Sequence, residues 1–578
     1  MHTHNLSPSK YIAGLLLVAV TWTGCSRPAR DGGRDWDAYS DRFIKAEFQA
    51  FPDMAVYVGR HEFDGKLPDW SEVGLTRTVT WLHSARREAA AFSAASLDQP
   101  RSFERDYLLA VIDRQLFWME SADAPHTNPD FYVVNNPTGG PALSPDVYVT
   151  RPYAPVEQRL RAYVAWAKAI RVAVAQIQAN LHPPLRRPMI DVGRLRFGGL
   201  ASYLANDIPA AFAEAKDAAL QAEFRTANSA AAKAFSDFDT WLESQRKTQT
   251  KAFALGADKF SEMLRASERV DVPLDRLEQI GREDMARNLT ALREACAAFA
   301  PGATLTQCVA REAAHKPGGG AVLAGTEQVS TLEAFVRAHN LVSIPGTERA
   351  LVHESPPYQW GNGAYIDTPG PFEPTLPAIY YVAPPDPKWT KEEQAAYIPS
   401  VANLLFTTVH EVWPGHFLQF EHSNRVPSVV GRIFVGYAFM EGWAHYSEEM
   451  MWEAGLGNGD PEIHIGQLME ALKRDARFLS AIGMHTGKMT LAQSETMFRE
   501  DAFQDAGTAR QQAARGTYDP AYLGYTLGKL MIRKLRADWT ATRGGQAAWK
   551  SFHDGFLSYG GPPIPLVRKA MGVDGPPL

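Results

Sequence analysis

The chain has 578 residues, of which 45% are hydrophobic and 21% are charged, so its composition is that of a globular protein. These fractions exclude a disordered chain and a collagen-like fibre, and three cysteines are too few for a disulfide scaffold or a zinc ribbon. The 59 basic and 65 acidic residues give a net charge of -6, so we expect no nucleic-acid partner.

The first 25 residues are typical of an export signal. Lys10 supplies a positive charge, and the apolar stretch 11–20 is much shorter than the ~20 residues that span a bilayer. Small residues then precede Cys25, a pattern that resembles a bacterial lipoprotein signal in which the cysteine becomes the lipidated N-terminus. We therefore expect an exported protein that faces the periplasm or cell exterior and is anchored to the membrane through Cys25 only. A plain secretory signal is the alternative.

A helical pattern dominates the chain after a tether at 26–36 that is rich in Pro, Gly and Arg. Apolar residues recur at helical spacing in several long runs, and we predict helices at 152–181, 209–234, 274–300 and 330–340. No linker divides residues 37–578. We therefore expect a single mainly α unit, with an N-terminal helical lobe at about 37–342 and a second lobe at about 343–578.

The second lobe begins with a segment, 343–387, that is dense in Pro and Gly. Two short runs in it have β character, Gly363 to Ile366 and Ala378 to Val382. Turns and short strands between helical halves are where a cleft is often built. We therefore expect a few short strands beside an active-site cleft, and an open edge at Ala378 to Val382 with which an extended peptide could pair.

Two cysteines remain in the body of the chain. Cys296 and Cys308 are twelve positions apart and flank Pro301 and Gly302, which favour a turn. In an oxidising compartment a disulfide across this turn and a pair of buried thiols are both compatible with the sequence. Neither state indicates catalysis.

The strongest chemical signal is an apolar helical run that carries His410, Glu411 and His416. A zinc motif of the H-E-x-x-H type places two histidines four residues apart on one helix face, with the glutamate as general base. Here the fourth position is Pro414, and on a regular helix His410 and His416 would lie on different faces. Because Pro414 lacks a backbone donor and Gly415 tolerates unusual dihedral angles, a helix break at this point would bring His416 back beside His410.

A second segment supplies a candidate third ligand. Glu441 lies 25 residues beyond His416, in an apolar setting that includes Trp443. A buried carboxylate needs a cation or hydrogen bonds, and two histidines with one glutamate leave the fourth zinc position open, as in catalytic sites. An ion pair between Glu441 and an arginine such as Arg432 is the structural alternative. His445 is an alternative ligand, although a supporting or surface position is the preferred interpretation.

The pattern H-E-x-x-P-G-H-x-x-Q followed by E-G-W-A-x-Y-x-E resembles the bacterial domain-of-unknown-function family 885, whose members are similar to gluzincin-type zinc metallopeptidases. The resemblance extends over most of the chain after the signal. It implies a large two-lobed helical metallopeptidase-like fold, one zinc ion held by His410, His416 and Glu441, and Glu411 as general base. The family commonly has a second histidine directly after P-G-H. Phe417 stands there, which leaves His416 in the ligand role.

Hydrolysis also needs a donor for the negative oxygen that forms on the attacked carbonyl. Tyr525 matches a family tyrosine three residues before a glycine, and Tyr522 is the second choice. His485 matches a histidine of another family motif, although Ala481 stands where the family tends to have an aspartate. Each of these residues is equally compatible with a packed side chain whose polar atom is hydrogen-bonded. Arg515 could bind a substrate carboxylate, but a surface salt bridge is the simpler interpretation.

These residues predict a zinc-dependent hydrolase, with a peptide as the favoured substrate. Glu411 would serve as the base for metal-activated water, and Tyr525 or His485 would donate to the oxyanion. Manganese or cobalt would suit the same ligands. The alternatives are a non-catalytic metal-binding or scaffolding lipoprotein and a zinc hydrolase of a non-peptide amide or ester. The sequence leaves open the choice between endo- and exopeptidase and the oligomeric state.

Overall fold

The computed structural model describes residues 1, 32–133, 143–355, 359, 363–385 and 389–578. Cys25 and the predicted signal therefore lie outside the described residues. Helices dominate the described chain, as predicted. Those of the first 340 residues are α1 (Gly32–Ala50), α2 (Pro52–Tyr57), α3 (Glu72–Ala91), α4 (Gln99–Leu116), α5 (Ala124–Thr127), α6 (Asp146–Thr150), α7 (Val156–Asn180), α8 (Arg187–Asn206), α9 (Ile208–Ala211), α10 (Ala218–Gln245), α11 (Ala257–Glu268), α12 (Leu274–Phe299), α13 (Leu305–Ala313) and α14 (Ala321–Ala338).

The remaining residues add three short strands and further helices. The strands are β1 (Ala350–Glu354), β2 (Ala364–Asp367) and β3 (Ala378–Val382). The helices that follow are α15 (Lys391–Tyr397), α16 (Val401–Glu411), α17 (His416–Ser423), α18 (Val429–Ile433), α19 (Tyr437–Glu453), α20 (Pro461–His485), α21 (Leu491–Glu500), α22 (Ala506–Tyr518), α23 (Gly524–Thr540), α24 (Trp549–Leu557) and α25 (Ile564–Ala570). Among the residues described, no helix is both long enough and apolar enough to cross a bilayer.

The predicted helical runs all fall in helices of the structure, but two of them differ in extent. The run at 330–340 is only the second half of α14, and a capping residue divides another run. The runs at 152–181 and 274–300 correspond to α7 and α12. The Ala-rich run at 209–234 is two helices instead of one, because the Asp217 side chain accepts hydrogen bonds from the backbone N–H groups of Ala219 and Leu220. This cap begins α10 at Ala218 and leaves a break after α9. Helix α1 begins at Gly32, within the segment that was predicted as a tether.

The three strands form one sheet whose order corrects a sequence prediction. β3 lies in the middle, parallel to β1 and antiparallel to β2. Ala378 to Val382 is therefore not an open edge, because both of its sides are already paired. The open edges belong to β1, which the sequence analysis did not predict, and to β2. On one face of β3 the Tyr380 side chain is fully buried and its hydroxyl lies 3.4 Å from the Thr408 hydroxyl of α16.

Buried apolar side chains form two large clusters. The first draws mainly on α1 to α10 and contains Trp36 and Trp166. The second draws mainly on α11 to α25 and on the sheet, and it contains Trp443. Val430 and Phe434, at and just after α18, belong to the first cluster although their neighbours in sequence belong to the second. This short segment therefore connects the two halves of the molecule through its packing.

Helices α11 to α14 were assigned by sequence to the N-terminal lobe, but they pack in the second cluster. The reason is a close approach of α12 to α20. Gly281 of α12 faces Phe478 of α20 so closely that a Cβ atom on Gly281 would lie 2.4 Å from the phenylalanine ring. The Asn288 amide also donates to the Asp475 carboxylate at 2.7 Å. These contacts are tertiary, so helical periodicity alone could not indicate them.

Cys296 and Cys308 form a disulfide in the structure, with their Cα atoms 5.8 Å apart. The bond connects the last turn of α12 to α13 across the predicted turn, and both cysteines are buried. Of the two states compatible with the sequence, the structure therefore has the oxidised one.

Candidate metal centre

The helix that carries His410 and Glu411 is interrupted directly after them. Helix α16 ends at Glu411, and α17 begins at His416. Between them the Gly415 N–H donates to the Val409 carbonyl at 3.0 Å, so the chain turns back over the last turn of α16. The expected helix break is therefore present, and it redirects His416 toward His410.

Two neighbours hold this interruption in place. The indole N–H of Trp443 in α19 donates to the Pro414 carbonyl at 2.8 Å. Gly415 lies so close to α16 that a Cβ atom there would be 1.8 Å from the His410 carbonyl oxygen. Any side chain at position 415 would collide with fixed backbone, so this close approach requires glycine.

The interruption brings together the three predicted ligands. One ligating atom from each of His410, His416 and Glu441 lies within 4.8 Å of the other two, and all three residues are buried. Glu441 Oε2 lies 3.4 Å from Nε2 of His410 and 3.4 Å from Nε2 of His416. Among the described residues this is the group that could hold a metal ion, and His445 does not belong to it. In the same part of the chain Glu441 pairs with His410 and His416, and the alternative ion pair with Arg432 is not formed.

The spacing of these atoms fits a metal ion better than it fits hydrogen bonds. Good N–H···O hydrogen bonds have N–O distances near 2.9 Å, and Glu441 Oε2 is buried without a partner of acceptable hydrogen-bond geometry. Two ligands bound to a tetrahedral zinc ion at about 2.05 Å would be about 3.3 Å apart. The observed 3.4 Å matches that separation. The donor set of two imidazole nitrogens and one carboxylate oxygen is also one that zinc commonly takes.

A network of charged groups supports His410 from its other side. Its Nδ1 lies 2.7 Å from Glu448 Oε1, so the imidazole donates to this carboxylate and its Nε2 points toward Glu441. Arg474 of α20 donates to Glu448 at 3.0 Å and to Glu470 at 2.7 Å. His445 lies 3.2 Å from the second oxygen of Glu448. Such an arrangement fixes the ring orientation and tautomer of a ligating histidine.

The charges in this cluster favour anionic carboxylates. Burial alone would raise the pKa of Glu441, but the two histidines hold it well below its usual value. Burial acts in the same direction on Glu448, and Arg474 together with His445 and His410 lowers its pKa to about 2. Burial and Arg474 would lower the pKa of His410, but Glu441 and Glu448 raise it to about 9. A cation at this point would replace protons that the carboxylates now attract to the imidazoles.

Glu411 lies at the end of α16, next to His410, and is buried with 9% of its surface exposed. Burial raises the pKa of its carboxyl group, and the nearby imidazoles of His416 and His410 oppose that rise. A carboxyl group with a raised pKa beside a group of metal ligands has the properties of a general base.

Tyr525 also lies at the site. Its ring stacks on the His410 ring with centroids 6.2 Å apart, and it packs edge-on against Tyr437. Burial and the carboxylate of Glu441 raise the pKa of Tyr525, so its hydroxyl stays protonated and able to donate at neutral pH. The second choice, Tyr522, is fully buried, with its hydroxyl close to Gly516.

The structure does not bring His485 to the site. This residue ends α20, eleven positions after Arg474, which corresponds to about 16 Å along a helix. Its Nε2 lies 2.7 Å from the Gly516 carbonyl and its Nδ1 accepts from the Leu255 N–H at 3.3 Å. Burial lowers the pKa of His485 to about 4. The histidine is a packed residue with both ring nitrogens engaged, so the expectation that it donates to an oxyanion is withdrawn.

Sequence reasoning missed several residues of the site, above all Glu448, Arg474 and Glu470. Glu448 had a signal, since it follows Glu441 by seven residues and so shares its helix face. Arg474 and Glu470 had no signal in the sequence, because they reach the site only through the packing of α20 against α16. Arg515 pairs with Asp519 at 2.9 Å and also donates to the Tyr437 hydroxyl at 2.9 Å, so its salt bridge is partly buried.

The fold and the site define a mainly helical protein with a buried cluster of two histidines and a glutamate on an interrupted helix. The chain belongs to the family described as bacterial protein of unknown function (DUF885), whose model matches residues 52–571. No sequence among curated proteins is detectably similar to it.

Two solved structures share the fold. One, from Shewanella oneidensis, is provisionally described as a lipoprotein of unknown function. It has 23% sequence identity and a TM-score of 0.75, over 93% of this chain and 99% of that one. The other, from Colwellia psychrerythraea, is provisionally described as a lipoprotein. It has 16% sequence identity and a TM-score of 0.76, over 93% of this chain and 98% of that one. A Bacillus anthracis protein provisionally described as an oligoendopeptidase F has 12% sequence identity over 87% of this chain and 92% of that one. Its TM-score is only 0.28, and a score this low does not define a shared fold.

Proposed function

We propose that this protein is a metal-dependent hydrolase, with zinc as the favoured ion and a peptide as the favoured substrate. The observation that carries the proposal is the convergence of His410, His416 and Glu441 at tetrahedral ligand spacing, with the carboxyl group of Glu411 directly beside them. Three protein ligands would leave one position of a zinc ion for water or substrate, as catalytic zinc sites do.

Each neighbouring residue then has a specific role. A zinc ion held by the three ligands would polarise a substrate carbonyl and make water a stronger acid. Glu411 accepts the proton of the attacking water on its carboxylate and passes it to the leaving nitrogen. Tyr525 donates its hydroxyl hydrogen to the oxygen of the attacked carbonyl. Glu448 keeps the His410 imidazole oriented, and Arg474 keeps Glu448 charged.

The test combines metal analysis with hydrolysis. The purified protein should contain about one equivalent of zinc, and it should cleave members of a randomised peptide library. A chelator should abolish this cleavage, and added zinc should restore it. His410→Ala should lose both the metal and the activity. Bound zinc without chelator-sensitive cleavage of peptides would identify a structural site, unless a parallel screen of amides and esters shows hydrolysis of a non-peptide substrate.

We also propose that the protein is an exported lipoprotein attached to the membrane through Cys25. The basis is the signal-like N-terminus, together with the provisional lipoprotein descriptions of the two structures that share the fold. Cys25→Ala should release the protein from the membrane fraction or block its processing. A mature N-terminus well beyond Cys25 in a fully soluble protein would contradict the lipid anchor and leave export intact.

A further inference from the structure

A buried arginine close to the candidate metal centre has no carboxylate partner. Arg477 of α20 has only 7% of its surface exposed. Its Nε donates to the Gln512 amide oxygen at 2.8 Å, and its guanidinium lies over the Tyr525 ring at 4.7 Å from the centroid. Within the described residues these contacts with Gln512 and Tyr525 are its polar and ring partners, and neither carries a negative charge.

The other arginines around Tyr525 differ from Arg477 in this respect. Arg474 pairs with Glu448 and Glu470, and Arg515 pairs with Asp519. The nearby carboxylates are therefore already shared among other cations. Burial lowers the pKa of Arg477, and Arg515 and Arg474 add to this effect, whereas Tyr525 opposes it. Within the part of the chain that the structure describes, Arg477 thus holds a buried positive charge with no carboxylate paired to it.

Such a position is costly for folding alone, since a buried charge normally requires an opposite charge. A guanidinium also presents a planar fork that matches a carboxylate through two parallel hydrogen bonds. Because Gln512 holds only Nε of Arg477, the two terminal nitrogens remain for such a pair.

The distance between Arg477 and the ligand cluster limits what could bind. The guanidinium lies 4.7 Å from the Tyr525 ring centroid, and that centroid lies 6.2 Å from the His410 ring. Laid end to end, these two distances place the guanidinium within about 11 Å of the His410 ring. A peptide chain advances about 3.5 Å per residue, and a charged hydrogen bond adds about 2.8 Å. A carbonyl that reacts beside His410 would therefore be separated from Arg477 by at most about two residues of a peptide.

We propose that Arg477 recognises a carboxylate of the substrate one or two residues beyond the bond that is cleaved. This inference rests on the proposed hydrolase function and specifies its substrate class. The carboxylate is either the C-terminus of a peptide, which would make the enzyme a carboxypeptidase or a dipeptidyl carboxypeptidase, or an acidic side chain. Arg477 acts in specificity, and the chemical step stays with the residues described above.

The test uses one acetylated, randomised tetrapeptide library made in two forms, with free C-terminal acids and with C-terminal amides. The full-length protein should cleave the free-acid library at least tenfold faster. If the carboxylate comes from side chains instead, cleavage of the amide library should be enriched in peptides with Asp or Glu after the cleaved bond. Arg477→Gln should reduce either preference by about 10–100-fold through KM, the range expected for a lost charge-assisted hydrogen bond.

The control is Arg536→Gln. Arg536 is also buried with its guanidinium over aromatic rings, including that of Trp549 at 4.0 Å, but it lies eleven residues after Tyr525 along α23, about 16 Å away. Its substitution should leave the preference for carboxylates unchanged. Arg477→Lys, which keeps the charge without the fork, should give an intermediate preference.

A binding experiment separates this proposal from the hydrolase proposal. The Glu411→Gln protein is mixed with both libraries, and the peptides that stay bound to the protein are identified by mass spectrometry. Selective retention of free acids or of acidic peptides, lost in Glu411→Gln/Arg477→Gln, supports carboxylate recognition even if no peptide is cleaved. Two results would overturn the proposal. In the first, amides and free acids are retained equally and acidic residues are not enriched. In the second, the double variant loses retention of both libraries equally.

Discussion

The roles of adjacent residues in the cluster differ because their side chains reach different groups. His410 and Glu411 are neighbours in the chain, yet Nε2 of His410 faces Glu441 whereas Glu411 contributes no atom to the group of three. The proposed ligand and the proposed base can therefore be separated by substitution. This separation gives the most direct test of the chemistry.

Glu411→Gln is expected to keep the bound metal and to lower kcat by about 10²–10⁴-fold, because a neutral amide cannot accept the proton of water. Metal content by mass spectrometry and turnover of the best library peptide measure the two effects. His410→Ala provides the contrast, since it should lose metal as well as activity. Near-normal turnover by Glu411→Gln would show that another group is the base.

Gly415→Ala is expected to weaken metal binding by at least tenfold without removing a ligand. The added Cβ atom would lie 1.8 Å from the His410 carbonyl oxygen and 2.4 Å from that of Val409, and backbone at the end of α16 cannot move without displacing His410. Titration of the metal-free protein with zinc measures the affinity.

Gly199→Ala is the matched control, because a Cβ atom at this position in α8 meets nothing within 4 Å. We expect its zinc affinity to equal that of the unmodified protein. If Gly415→Ala binds zinc equally well, His416 is not held in place by the interruption in the way described.

At the residue scale, the sequence analysis predicted those features of the site that depend on residues close together in the chain. His416 was predicted as a partner of His410 because Pro414 and Gly415 lie between them and allow a helix break. Arg474 was not predicted, because its contact with Glu448 exists only once α20 packs beside α16. His485 was predicted for the site on resemblance alone, and the length of α20 removes it from the ligand cluster.

At the scale of elements, the same distinction holds: features set by neighbouring residues can be recognised in the sequence, and features set by tertiary packing cannot. Thr390 and Glu393 form a capping box that starts α15, a feature that can be recognised in the sequence because both hydrogen bonds join residues three apart. The position of β3 within the sheet was predicted wrongly, because strand order depends on β1, whose mostly exposed or half-buried residues give little periodic signal. Among the described strands, the unpaired edges of the sheet belong to β1 and β2.

The disulfide is the element-scale feature with the clearest consequence for stability. Replacing Cys296 and Cys308 by alanine should lower the free energy of unfolding by about 3 kcal/mol, because the bond closes a short loop and restricts the unfolded chain. Urea denaturation followed by circular dichroism measures the change. A reducing agent should shift the unfolding midpoint of the unmodified protein toward that of the variant and leave the variant unaffected. Equal midpoints in both proteins without reductant would contradict the prediction.

At the scale of the whole molecule, one buried acid in the first hydrophobic cluster contrasts with the carboxylates of the candidate metal centre. The second cluster surrounds the candidate metal centre, where opposite charges lie in contact. In the first cluster Glu47 of α1 is fully buried, and its nearest polar partner is the neutral amide of Gln115, which donates to Oε1 at 2.6 Å. Its second oxygen is buried without a hydrogen-bond partner. Burial raises the pKa of Glu47 to about 8, although Gln115 and Arg114 oppose the rise.

This buried acid should make the stability of the folded protein fall as the pH rises. Below pH 4.5 Glu47 is protonated in both states, so its full contribution is present. Between pH 4.5 and about 8 the unfolded chain loses the proton while the folded protein retains it, which favours unfolding. Glu47→Gln, which stays neutral, should therefore reduce the loss of stability between pH 5 and pH 8 by on the order of 2–4 kcal/mol. Urea denaturation at fixed zinc concentration measures this difference. The exposed Glu214→Gln should follow the unmodified protein at every pH, and a Glu47→Gln profile parallel to that of the unmodified protein would show that Glu47 is charged in the folded state.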